Sequence, residues 1–165
     1  MINAYETEDG VVFDMSGLEC EALRSYADGL LTDPKHPFVE LLRGQGLVVG
    51  DTPVPHLAAL LQAFSQATKV LTAWVVAPAG CRRSTFFVGP HSAAVLRCDD
   101  GGLYADEDDM VSVWAIDSAQ LRDTFFELSA IGEPSGEGIV PTAVPATLFG
   151  ALERAEVTEI LVEVP

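Results

Sequence analysis

The stretch VLTAWVVAPAGCRRSTFFVGPHSAAVLRCDD occupies residues 70–100, and the run VSVWAI follows at residues 111–116. These two stretches contain four short runs rich in β-branched or aromatic residues: Val70–Val76, Thr85–Val88, Ala93–Leu96 and Val111–Ile116. Ala-Pro-Ala-Gly, Gly-Pro-His and Asp-Asp-Gly-Gly interrupt them, and such sequences are typical of turns. Short strands separated by turns predict an antiparallel β-meander.

Helices are predicted before the meander. Ser16 and Glu19 have the spacing of a capping box, which predicts a helix behind a short strand at Gly10–Met15. Two further helices are predicted, one over Phe38–Arg43 and one that begins near Pro55 and has leucines at helical spacing.

Helices are also predicted after the meander. Asp117 and Gln120 repeat the capping-box spacing and predict a helix that ends at Leu128. A helix over Pro145–Arg154 and a strand over Val157–Val164 complete the prediction. The fold class is therefore α+β: one domain spanning residues 1–165, in which an antiparallel β-meander sheet has flanking helices on one face.

Composition and charge restrict the classes of partner. The chain has 165 residues, 48% of them hydrophobic, and 25 Asp+Glu against 9 Lys+Arg, which gives a formal net charge of -16. Nucleic-acid binding and anionic membrane surfaces both require basic residues, so neither partner is expected. The most apolar stretch, Val70–Ala79, is too short to span a bilayer. The N-terminal sequence has no features of a secretory signal.

The cysteines and histidines do not form a recognisable catalytic or metal-binding pattern. Cys20, Cys81 and Cys98 are widely spaced, contain no CxxC pair and favour a reducing compartment, so we expect a cytoplasmic protein. The three histidines lack the spacing of metal ligands, and the acidic residues around Asp99–Asp109 lack the spacing of a calcium loop. We therefore predict no catalytic residue, no metal and no cofactor. The enzymatic alternative uses either a nucleophilic Cys81 beside two arginines or an acidic pair.

A partner-binding surface is the remaining expectation. Arg82 and Arg83 lie next to Phe86 and Phe87, and consecutive strand residues point to opposite faces of a sheet. One phenylalanine would then be exposed beside a pair of arginines, a composition typical of interface anchors. The alternative is a sheet buried on both faces, in which case neither ring is exposed.

From Thr72 onward the sequence resembles the EspG family of actinobacterial ESX (type VII) secretion systems. The resemblance rests on the order of several strings: VLTAWVV, RRSTFFV, AAVLRCDDGGLY, VSVWAIDSAQLRDTFFEL and IGEPSGEGIVPTAVPATLFGAL. Members of this family have two similar α+β halves, and this chain corresponds to one of them. It is therefore either a shortened paralogue or, as we expect, a half that forms a homodimer.

The resemblance implies a non-enzymatic cytosolic chaperone that binds a helical secretion substrate, of PE/PPE type or of WXG100 type. The corresponding contact regions here are the loop Ala77–Arg83 and the helices near Leu121–Leu128 and Leu148–Leu152. The residues predicted to bind the partner are Arg82, Arg83, Phe86, Phe87, Leu121, Phe125, Leu148 and Phe149.

An acidic inhibitor or immunity-type protein is the alternative function. A net charge of -16, with four consecutive acidic residues at Asp106–Asp109, would mask a basic partner by electrostatic attraction. The salt dependence of binding separates the two hypotheses, because an apolar interface with a secretion substrate tolerates salt and an electrostatic one does not.

Overall fold

The computed structural model describes residues 1–8, 10–77, 80–99, 109–129 and 157–163, and for 76–77, 80–81 and 157–163 it describes the backbone alone. The strands are β1 (Asn3–Thr7), β2 (Gly10–Ser16), β3 (Val48–Val49), β4 (Thr52–Pro53), β5 (Lys69–Ala77), β6 (Gly80–Val88), β7 (Ser92–Asp99), β8 (Met110–Asp117) and β9 (Val157–Glu163). The helices are α1 (Gly17–Ala27), α2 (Pro37–Gly44), α3 (Pro55–Ser65) and α4 (Leu121–Leu128).

Within the described residues, seven strands form the main sheet, in the order β1-β2-β8-β7-β6-β5-β9. Strands β5 to β8 are consecutive antiparallel neighbours, which confirms the predicted meander and the α+β class. Strand β9 was predicted as a strand, but it pairs parallel to β5, so the sheet is not wholly antiparallel. Strand β1 and the small β3–β4 hairpin were not predicted.

Helices cover the sheet on two faces, and the expectation of helices on one face was wrong. Helices α1, α2 and α3 share a buried cluster with one face, called here the three-helix face. Helix α4 packs against the opposite face, called the α4 face. The physical reason is that β5–β8 carry large apolar residues at both odd and even positions, so both faces of these strands must be shielded from water.

The ends of the helices follow local signals in the sequence. The predicted capping box is present at α1, where the Glu19 N–H donates to Ser16 Oγ at 3.2 Å and the Ser16 N–H donates to Glu19 Oε2 at 2.9 Å. At α4 the second predicted box is incomplete. Gln120 Oε1 accepts a hydrogen bond from the Asp117 N–H at 3.1 Å, but a turn intervenes and the helix begins at Leu121.

No helix within the described ranges combines the length and the apolarity that crossing a bilayer requires. The predicted helix over Pro145–Arg154 lies outside the described residues.

Glu19→Gln is expected to destabilise the fold by roughly 0.5–1 kcal/mol at neutral pH, because it removes a negative charge from the N-terminus of α1. Burial acts to raise the pKa of Glu19, but hydrogen bonds from the Met1 amino group and from Ser16 hold it below the ordinary value of 4.5. The ionised carboxylate therefore stabilises the fold above the ordinary value, and this contribution is lost as the pH falls through the lowered pKa.

Urea unfolding of both proteins between pH 7 and pH 3.5 measures this effect. The difference in unfolding free energy should be constant near neutrality and shrink at the acidic end. Glu21→Gln, at an exposed position of the same helix, is the control. A difference for Glu19→Gln that is equal at both ends of the range would contradict the assignment.

Candidate partner-binding site

The two phenylalanines proposed as an exposed anchor are both buried. Phe86 is 0% exposed and Phe87 is 7% exposed. They point to opposite faces, as expected, but Phe86 packs on Phe125 with ring centroids 5.5 Å apart, and Phe87 packs on Phe64 at 5.2 Å. The expectation that one of the two rings is exposed was wrong, because each face of β6 is covered by a helix. Their contact with a partner stays a prediction.

The α4 residues proposed as partner contacts are also buried. Leu121 is 4% exposed and Phe125 is 0% exposed, since this amphipathic helix turns its apolar side to the sheet. Their side chains are therefore not exposed on the surface of this structure, and their assignment to a partner surface stays a prediction. Leu148 and Phe149 lie outside the described residues, as does part of the loop Ala77–Arg83.

The two neighbouring arginines point to different faces of the sheet. Arg82 lies on the α4 face, where its Nε donates to Asp99 Oδ1 at 3.1 Å. Asp99 is shared with Arg97, whose guanidinium contacts Asp99 Oδ2 at 2.8 Å. Arg83 lies on the three-helix face, and its Cζ is 5.5 Å from the centroid of the Trp74 ring. The structure therefore does not bring Arg82 and Arg83 together in one site.

A groove runs along the α4 face between α4 and the β1–β2 hairpin, with a volume of about 340 Å³. It is called the α4 groove here. Trp114 of β8 and Tyr5 of β1 provide its aromatic lining, and Tyr5 is 41% exposed. Arg97, Asp99 and Glu127 provide its charged lining. An aromatic surface with a polar rim is the composition expected of a protein-binding site.

Hydrogen bonds within the chain hold the polar side of this groove in place. Ser112 Oγ donates to Asp14 Oδ1 at 2.6 Å, and the Tyr5 hydroxyl is 3.4 Å from the same oxygen. The Asp99 carboxylate forms ion pairs with Arg82 and Arg97. Glu127 is exposed on α4 at the same rim, so a partner can reach its carboxylate.

The described cysteines are poorly suited to nucleophilic chemistry. Cys20 is 3% exposed and Cys98 is 1% exposed. Burial raises the pKa of Cys20 to about 12, although Arg24 and Arg83 act to lower it, so its thiol stays protonated at neutral pH. His36 caps α2, where its Nδ1 accepts a hydrogen bond from the Phe38 N–H at 3.2 Å. The side chain of Cys81 is outside what the structure describes.

Sequence reasoning missed Tyr5 and Trp114. The signal for Trp114 was present, because Ser112 and Trp114 alternate with Val111 and Val113 and must therefore share the other face of β8. No such signal existed for Tyr5, since β1 is a short strand whose five residues are all exposed.

A scan against protein-family models finds no match, and a search of curated proteins finds no significant match either. The class of protein is thus defined by the fold, an α+β domain whose mixed sheet is covered by helices on both faces, with a groove beside α4.

Phe125→Ala is expected to lower the free energy of unfolding by about 3–5 kcal/mol, because it leaves a cavity between α4 and Phe86. Urea unfolding followed by circular dichroism measures the loss. Phe126→Ala, on the same helix but only half-buried, is the matched control and should cost less. If Phe125→Ala left the stability unchanged but abolished binding of a partner, the Phe125 ring would be a contact with the partner and not a core residue.

Proposed function

We propose that this chain is a non-enzymatic adaptor that binds a helical protein substrate, as the EspG-like chaperones of type VII secretion do. The observation that supports the proposal is the α4 groove, where Trp114 and Tyr5 lie open beside a helix. The first four of the sequence strings on which the resemblance to the EspG family rests form β5, β6, β7, and β8 with α4.

The groove defines what part of a substrate it accepts. A volume of about 340 Å³ holds a few side chains and not a whole helix. The tip of a helical hairpin presents such a small set of apolar side chains, which would otherwise be exposed in solution. Contact with Trp114 and Tyr5 shields them, because large aromatic side chains contribute most of the buried area at interfaces.

A homodimer is part of this proposal. Strand β1 is an edge of the main sheet, and within the described residues no strand pairs with its outer side. Antiparallel pairing of two β1 strands about Tyr5 would set Asn3 opposite Thr7 and Ala4 opposite Glu6, so like charges do not face each other. The cytoplasm is the proposed location of the complex.

An acidic inhibitor is the second candidate, and the position of Glu127 favours it. This exposed carboxylate lies at the rim of the same groove in a protein of net charge -16. A basic side chain of a partner could contact both Glu127 and the Trp114 ring, since a cation is attracted to a carboxylate and to an aromatic face.

A charge reversal separates the two functions. Glu127→Lys should leave binding of a helical secretion substrate within about twofold, because an exposed rim charge contributes little to an apolar interface. The same change should weaken a basic partner by at least roughly tenfold at low salt. Glu40→Lys, an exposed acidic position on α2, is the matched control.

The experiment starts with a pull-down by the tagged full chain at low and high salt, followed by titration of the purified partner against each variant. Tyr5→Ala should weaken the helical substrate about tenfold without loss of stability, because this ring is half-exposed. A captured helical substrate whose affinity is insensitive to Tyr5→Ala and to Trp114→Ala would refute the groove as the binding site.

A further inference from the structure

A histidine side chain caps the first turn of α2. His36 directly precedes Pro37, at which the helix begins, and its Nδ1 atom accepts a hydrogen bond from the Phe38 N–H at 3.2 Å. The Glu40 N–H donates to the His36 carbonyl at 3.0 Å. The imidazole therefore has the role that a serine, threonine, asparagine or aspartate oxygen usually has at a helix N-terminus.

This cap exists only while the imidazole is neutral. One ring nitrogen of a neutral histidine accepts hydrogen bonds, but both nitrogens are donors in the imidazolium ion. Protonation of His36 would therefore set two N–H donors against each other, one at Nδ1 and one at the Phe38 nitrogen. It would also add a positive charge at a helix N-terminus, where the helix dipole favours negative charge.

The charged residues near His36 in the sequence form no ion pair with its ring. Asp28, Asp33 and Lys35 lie between α1 and α2, and Glu40 is exposed in the first turn of α2. Asp33 Oδ1 accepts a hydrogen bond from the Lys35 N–H at 2.9 Å. Within the described ranges, no salt bridge joins His36 to a carboxylate. The imidazolium would therefore gain no ion pair in return for the lost cap.

The elements that pack against α2 add no such partner. Helix α1 and strand β3 both contact α2. Strand β3 consists of two valines and has no titratable group. None of the titratable side chains of α1 forms a hydrogen bond or an ion pair with His36, and these side chains are Glu19, Cys20, Glu21, Arg24 and Tyr26.

The cap fixes the helix end that carries a core residue. Phe38 is 6% exposed and belongs to the buried cluster of the three-helix face. The loop before the helix has a separate attachment, since Arg43 Nη1 donates to the Pro34 carbonyl at 2.8 Å and Arg43 Nε donates to the Gly50 carbonyl at 3.2 Å. These bonds do not involve His36, so we expect loss of the cap to open the first turn of α2 without unfolding the domain.

We propose that His36 is an acid-sensitive cap of α2. Histidine generally changes its charge between about pH 5 and pH 8, so mild acid is sufficient to remove such a cap. With a neutral ring the first turn is closed, and with a protonated ring it opens while the sheet stays folded. This end of α2 is not part of the α4 groove, and the cap does not depend on the proposed function.

NMR of the ring nitrogens tests the hydrogen bond itself. In the full chain labelled with 15N at histidine, the expected result at pH 8 is an unprotonated Nδ1 and a protonated Nε2 at His36. A protonated Nδ1 at this pH overturns the proposal, because that nitrogen could not accept a hydrogen bond from Phe38.

His36→Asn separates the cap from its protonation, because asparagine caps helices and does not titrate. Amide hydrogen exchange of Phe38 is measured in the unaltered chain and in this variant at the same pH, and the ratio of the two rates is taken. The ratio should be near one at pH 8. At pH 5 the unaltered chain should exchange roughly fivefold faster than the variant, the effect of losing a typical N-cap.

His56→Asn is the matched control. His56 also lies beside a proline in the first turn of a helix, but the N-cap of α3 has no side-chain hydrogen bond. Phe38 exchange in this variant should keep the pH dependence of the unaltered chain.

Two results of the exchange experiment overturn the proposal. The first is a ratio that is equal at both pH values. The second is slower exchange of the unaltered chain than of His36→Asn at pH 5, which would show that the imidazolium pairs with a carboxylate such as Glu40. Should His36→Asn fail to fold, the Phe38 N–H shift of the unaltered chain must follow the titration of the His36 ring, and an independent shift overturns the proposal.

Discussion

Two adjacent phenylalanines on one strand determine the layers of this structure. Phe86 and Phe87 of β6 point to opposite faces of the sheet and are both buried, one against Phe125 of α4 and the other against Phe64 of α3. Leaving either ring in water would cost about 1.5–3 kcal/mol in lost apolar burial. The strand therefore requires a helix on each side, and both buried clusters found among the described residues include one of its phenylalanines.

The α4 groove follows from this arrangement. Helix α4 packs on Phe86 and covers β5 to β8 near one end. Trp114 and Tyr5 therefore line a groove beside this helix. On the other face, Phe87 supports Arg24 of α1 and so places a cation above β6. The apolar core thus positions polar and charged groups that form no part of it, on two separate faces.

Local signals in the sequence predicted the elements well. The capping box at Ser16 and Glu19 and the turn-separated runs from residue 70 to residue 116 depend on neighbours along the chain, and the structure has both. The exposure of the proposed interface residues was predicted poorly. Their exposure depends on which helix packs on which face of the sheet. The residue pattern within β6 does not indicate whether helices cover one face or both.

The sequence by itself determined the class of fold, the acidic character and the alternation of each strand, because composition, capping and period-two patterning are local properties. Only the tertiary structure decided that β9 pairs with β5 in parallel. It also decided that Arg82 and Arg83 lie on different faces of the sheet, and that Phe86 and Phe87 belong to the core. The physical reason is that burial is shared between segments far apart in the chain, so the role of a side chain depends on the partner that covers it.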